Sequence, residues 1–162
     1  MRSVAGSSRF SLTVVGYQFP TVTAQTDPYD ANWLMVKLHV ETDAARWTSI
    51  DPCLLTSELR SLAEWFTRVA EREPRVVTDV TYDQRGGDAL TFIEPNVAFS
   101  VADYPSEDSA LIRVHLSFVS LDEGSESDSM YGEHVDLELR RDAILEAVTA
   151  LESAIQRHPE RN

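Results

Sequence analysis

His134, Asp136 and Glu138 occupy alternate positions of one apolar–polar run, and Arg113 and His115 alternate in another. A histidine with two carboxylates at that spacing has the donors to hold a divalent metal or to carry a proton in general acid–base chemistry. If the two runs pair as neighbouring strands, all five side chains meet on one sheet face, and His39 and Glu41 are candidates to extend it. The competing reading is a solvated strand face laced with cross-strand charge pairs. No pocket-forming motif accompanies the cluster, so the sequence favours a solvated contact face, with no metal, no cofactor and no catalytic residue expected.

Other catalytic signatures are missing. There is no Gly-rich phosphate loop, no H-E-x-x-H and no G-x-S-x-G. Gly86-Gly87, followed by Asp88, has the chemistry of a turn. Cys53 is the single cysteine, which excludes an internal disulfide. Its setting, Asp51-Pro52-Cys53-Leu54-Leu55, is an apolar helix entrance where a buried, inert thiol is expected. The aromatics Trp33, Trp47, Trp65, Tyr17 and Phe19 are expected to build core.

The charge is uneven. The chain has 27 acidic and 14 basic residues, a net charge of -13, yet residues 101–136 alone hold nine acids and one base, a net of -8. More than half of the excess therefore sits in less than a quarter of the length. Such a field attracts a basic partner and repels nucleic acid and anionic membrane. Asp122, Glu123, Glu126 and Asp128 fall within seven residues, and Glu133 follows. With Arg113, His115, His134 and Asp136 they form the candidate partner-binding set. The plainer alternative is charge that only maintains solubility.

Hydrophobic residues at 43% and charged residues at 25% suit a folded domain rather than a disordered chain. Period-two alternation marks strands at Phe10/Leu12/Val14, Leu34/Val36/Leu38/Val40, Ile112/Val114/Leu116/Phe118 and Val135/Leu137/Leu139. Shorter strand candidates cover 76–82, 89–93 and 97–101. Leu55, Leu59, Leu62, Phe66 and Val69 keep helical spacing, with Thr56 as N-cap and Pro74 closing a helix over 56–73. Ile144, Val148, Leu151 and Ile155 mark a second helix over 142–158, stopped by Pro159. Loops are expected at 21–31, 103–109 and 122–132. No sequence repeat or linker is visible. The expectation is one α+β domain over 9–159, a mostly antiparallel β-sheet with two amphipathic helices packed on one face. Residues 1–8 are expected to be poorly ordered and 160–162 to form a tail. No apolar leader or membrane-length run is present, so a cytoplasmic protein is expected.

The order Gly16-Tyr17-Gln18-Phe19-Pro20, Asp30-Ala31-Asn32-Trp33-Leu34, Trp47, Asp51-Pro52-Cys53-Leu54-Leu55-Thr56 and Phe92-x-Glu94-Pro95-Asn96-Val97-x-Phe99 resembles the WapI-type immunity-protein family. The resemblance spans about residues 10–159. It implies a small cytoplasmic bacterial protein, encoded beside a polymorphic toxin, that binds and neutralises its cognate toxin domain. It supplies no catalytic residue. A basic nuclease is the kind of toxin domain that the acidic field would suit, and no direct nucleic-acid or membrane contact is expected. Two other functions stay open to the sequence: a small enzyme or metal-binding protein using the polar face, and a regulatory module with a different partner. The oligomeric state is not legible.

Overall fold

The computed structural model describes residues 1, 8–23, 26–27, 29–43, 46–80, 88–117 and 131–161. Six strands and two α-helices follow the order β1 (Arg9–Tyr17), β2 (Trp33–Glu41), β3 (Arg46–Leu55), α1 (Thr56–Ala70), β4 (Val97–Ser106), β5 (Ser109–Leu116), β6 (Glu133–Arg140) and α2 (Arg141–Arg157). The fold is α+β and mostly antiparallel sheet, as the alternation and the two helical stripes require. The sheet is not one but two, each three-stranded and antiparallel, ordered β1-β2-β3 and β4-β5-β6. Each meander runs without a break into a helix, so β3 meets α1 at Thr56 and β6 meets α2 at Arg141. The chain thus repeats a βββα order that its residues do not repeat. After the first helix the chain enters the second sheet with β4.

One core joins the halves. Leu59, Leu62, Phe66 and Val69 of α1 and Ile144, Val148 and Ala154 of α2 are buried in one cluster with strand residues from both sheets. The helices also pack against each other. Phe99 of β4 stands at the centre. Its ring lies 5.8 Å from Phe10 of β1, 5.7 Å from Phe66 and 6.1 Å from Trp65 of α1, mostly edge to face. Trp65 and Trp33 are buried, and Trp47 and Tyr17 are half-buried against the core. Phe19 departs from expectation: it is 41% exposed, because it follows the last residue of β1 and lies beyond the sheet.

Strand β3 is where sequence reading and structure differ most. Its outer half, Arg46 to Asp51, is half-buried or exposed and so carries no apolar stripe. Proline within the run also argues against a strand. The register explains the tolerance: Leu34 faces Leu54 but Met35 faces Pro52, so Cys53 is the extra residue of a β-bulge. Bulges release a backbone N–H from the ladder, which is where proline fits.

The helix begins one residue earlier than a Thr56 cap implies. Leu55 occupies the cap, and its N–H donates to Glu58 Oε2 at 2.9 Å. Helix α1 stops at Ala70, short of 73, where Arg72 adopts a φ of 61° and Glu73 N–H donates to Arg68 O at 3.0 Å. That left-handed C-terminal turn ends a helix before a proline is reached.

Two short strand candidates are not strands. Of 76–82 and 89–93, the described residues form isolated bridges, Val76 with Val101 and Leu90 with Phe99. The candidate at 97–101 instead runs on to Ser106, and the turn of the expected 103–109 loop shrinks to Glu107 and Asp108. Register shifts after Val101 and Asp103 absorb Pro105. Helix α2 is displaced by one residue from 142–158. Of the segments assigned from spacing and composition, residues 2–7, 81–82, Gly86-Gly87, Phe118 and 118–130 lie outside the described residues.

Candidate functional site

Strands β5 and β6 do bring the polar residues together. The register sets Arg113 opposite Asp136, His115 opposite His134, Leu116 opposite Glu133 and Leu111 opposite Glu138. Arg113 grips Asp136 with both arms of the guanidinium, Nε to Oδ1 and Nη2 to Oδ2, each at 2.8 Å. The third nitrogen, Nη1, donates to Thr78 O at 3.3 Å. The Arg113 guanidinium holds the Asp136 carboxyl below the usual carboxylate range, and the pairing raises Arg113 in turn. Both oxygens of Asp136 are thereby engaged.

His115 is not on a solvated face. It is 6% exposed, its Nε2 is joined to Ser100 Oγ by a 2.9 Å hydrogen bond, and its ring lies 5.8 Å from Tyr131 and 6.5 Å from His134. Burial first, then the charges of Arg113 and His134, push its pKa down to about 4, against a smaller upward pull from Asp136 and Asp79. His115 is therefore a neutral, hydrogen-bonded residue at neutral pH. Glu133 and His134 are exposed at the start of β6.

His39 and Glu41 do not extend this surface. They lie on the middle strand of the other sheet, where His39 Nδ1 is 2.7 Å from Thr48 Oγ1 and Glu41 Oε1 accepts from Arg46 at 2.5 Å. Among the described residues, no three His, Cys, Asp or Glu side chains are grouped to hold a metal ion. Asp122, Glu123, Glu126 and Asp128 lie outside the described residues.

A second polar constellation is not legible as a site in the sequence. Gln18, Phe19, Asp30, Trp33, Asp51, Pro52, Glu94 and Asn96 line an open pocket of about 450 Å³. They come from four separate segments, each held by a named bond. Gln18 N–H donates to Trp33 O at 2.8 Å, and Phe19 O accepts from Arg161 Nη1 at 2.8 Å. Asp30 opens a 3-10 turn, Asp30–Asn32, and Asn32 closes it against Arg161 O and Thr56 Oγ1. Asp51 and Pro52 sit at the bulge of β3. Glu58 draws in the last segment, since its Oε1 accepts from Ile93 N–H at 2.7 Å while Oε2 holds Leu55. Among the described residues, the carboxylates of Asp30, Asp51 and Glu94 have no ion pair.

The nearby Cys53 thiol is fully buried, in keeping with its apolar setting. Burial, with added repulsion from Asp51, Glu58 and Glu94, pushes it up to about 12. It stays a thiol and cannot serve as a nucleophile near neutral pH.

All eight lining residues belong to the stretches that carry the family resemblance. Aromatics, prolines and helix-start residues make those stretches read as architecture. The available signal was that their polar members, Gln18, Asp30, Asp51, Glu94 and Asn96, have no architectural duty that alternation or helical spacing explains. No curated protein and no solved structure matches the chain. A model of the immunity protein WapI-like family matches residues 3–159, a span that holds both sheets, both helices, the Arg113–Asp136 pair and the whole pocket. The chain belongs to the WapI-like immunity protein family.

Proposed function

We propose that this protein acts as a cytoplasmic immunity protein of a polymorphic toxin system, binding and neutralising a cognate toxin domain whose contact surface is basic. The observation that carries the reading is the family match over residues 3–159. The charge distribution supports the basic partner: residues 101–136 carry a net of -8, and within that window the one base, Arg113, is already neutralised by Asp136. Asp122, Glu123, Glu126, Asp128 and Glu133 supply attraction at the rim, and the exposed residues of the β5–β6 surface, His134 among them, supply nearer contacts. A basic nuclease fits as the target, since a cleft that binds phosphates needs cations that an acidic inhibitor can occupy.

An enzyme built on the β5–β6 surface draws little support from its geometry. Asp136 is spent on Arg113, and His115 is buried against Ser100. The test is co-expression with the toxin domain encoded beside it in the native genome. Cell survival and a complex that co-purifies are expected. Killing that persists, with no complex between the purified proteins, would overturn the reading.

A further inference from the structure

We infer that the pocket framed by Phe19, Trp33, Asp30, Asp51 and Glu94 receives an arginine side chain of the partner protein. The inference rests on the toxin-binding reading for the partner's identity, and on the pocket's own chemistry for what enters it. Three acidic residues from three segments line one concavity of about 450 Å³, a size typical of ligand pockets, and none is ion-paired within the described residues. Two of them are near enough to act on one neighbour, since the charges of Asp51 and Glu94 both bear on Cys53.

The second observation is aromatic. Phe19 is 41% exposed on the pocket wall, and Trp33 forms another wall with the 47% exposed Tyr29 set edge-on against it at 5.6 Å. Phe19 is thus the exposed ring on the pocket wall, with the edge of the buried Trp33 beside it, and a ring next to unpaired carboxylates suits a flat cation. A guanidinium stacks on an aromatic face and offers forked donors to carboxylates, and it sheds water more readily than an ammonium. Gln18 and Asn96 also line the pocket, and a side-chain amide oxygen is an acceptor that such a cation can use.

The same chain already shows the chemistry next door. The Arg161 guanidinium lies 3.3 Å from the Tyr17 ring centroid and donates to Phe19 O, yet Arg161 is not among the lining residues of the pocket. That leaves the pocket a seat for an arginine from outside, of the kind that forms interface hot spots.

The test begins without the toxin. The full chain, labelled with nitrogen-15, is titrated with N-acetyl-arginine amide, and with the N-acetyl amide of citrulline as the neutral isostere. Saturable shifts confined to the Trp33 indole and the Gln18 and Asn96 side-chain amides are expected with arginine only. Asp51→Asn with Glu94→Gln, and separately Phe19→Ala at an exposed position, should each weaken binding by about ten-fold or more, with the other resonances unmoved.

Equal shifts with citrulline, shifts scattered over the acidic surface that survive both variants, or no saturable shift would overturn the inference. Calcium chloride competing at the same signals in place of arginine would overturn it also. The toxin domain is then tested against the same variants. Faster dissociation of Phe19→Ala and of the double variant supports the seating of a toxin arginine. Unchanged binding overturns that seating while leaving the immunity reading intact. Arginine binding without any toxin binding defeats the immunity reading and leaves the pocket assignment standing.

Discussion

His115 shows how one residue's surroundings convert a candidate catalyst into a structural group. In the unfolded chain it protonates near pH 6.5, whereas in the fold, buried and bonded to Ser100, it resists protonation until about pH 4. Between those values the unfolded chain binds the extra proton, so stability is complete above about pH 6.5 and is lost as pH falls toward 4. For this buried side chain the loss between pH 7 and 5 should be on the order of 2 kcal/mol. His115→Gln should flatten that slope while lowering stability at pH 7. Urea midpoints at the two pH values measure it, and an unchanged slope would mean that His115 is not what protonates. Asp136 acts in a separate window: its pKa is depressed by Arg113, so its contribution holds above the ordinary aspartate range and is lost only at lower pH.

At the scale of elements, the two helical stripes differ in depth. Both line a crevice bordered by β1, but Leu62 of α1 is 2% exposed within the central cluster, whereas Leu151 of α2 is half-buried. Leu62→Ala should therefore cost about 2–5 kcal/mol, the range for a buried large-to-small change. Leu151→Ala should cost about 1–2 kcal/mol, since solvent already meets one side of this half-buried residue. Thermal or urea denaturation of the two variants tests the ranking, and equal losses would contradict it. The element that does most for the pocket is the β3–α1 junction. The bulge at Cys53 offsets the two halves of β3 where Asp51 and Pro52 line the pocket, and Glu58 in the first turn of α1 ties Ile93, and so the Glu94–Asn96 turn, against it.

Over the whole molecule the governing quantity is the placement of charge. On the proposed function, four carboxylates within seven residues, Asp122 to Asp128, are too costly to bury together and would serve at an interface rim. Charge at a rim accelerates encounter more than it slows departure. Replacing Asp122, Glu123, Glu126 and Asp128 with Asn or Gln should slow association with the toxin domain about ten-fold at low salt. The difference should vanish as the Debye length shrinks to about 3 Å at 1 M. The Phe19→Ala variant should behave in the opposite way, changing dissociation at every salt concentration. Stopped-flow association and surface-based dissociation rates separate the two, and an unaltered association rate at low salt would reduce the acids to solvation.

The residues by themselves determined four strands, two helices and the location of the negative field. Each of these is written in local spacing: period two at Leu34–Val40, a 4, 3, 4 rhythm at Ile144–Ile155, nine acids in one window. That Arg113 and Asp136 would share a face was also within reach, because alternation fixes the face once the two strands pair, while the register that sets them opposite each other comes from the fold. Strand β3 was hidden, since its outer half is too exposed to carry a stripe and its proline is excused only by a bulge that needs β2 beside it. The division into two sheets, the burial of His115 and the meeting of Phe19, Asp30, Asp51 and Glu94 were decided by tertiary structure alone. Those depend on contacts between segments far apart in the chain, and no periodicity within a segment encodes which distant segment it will face.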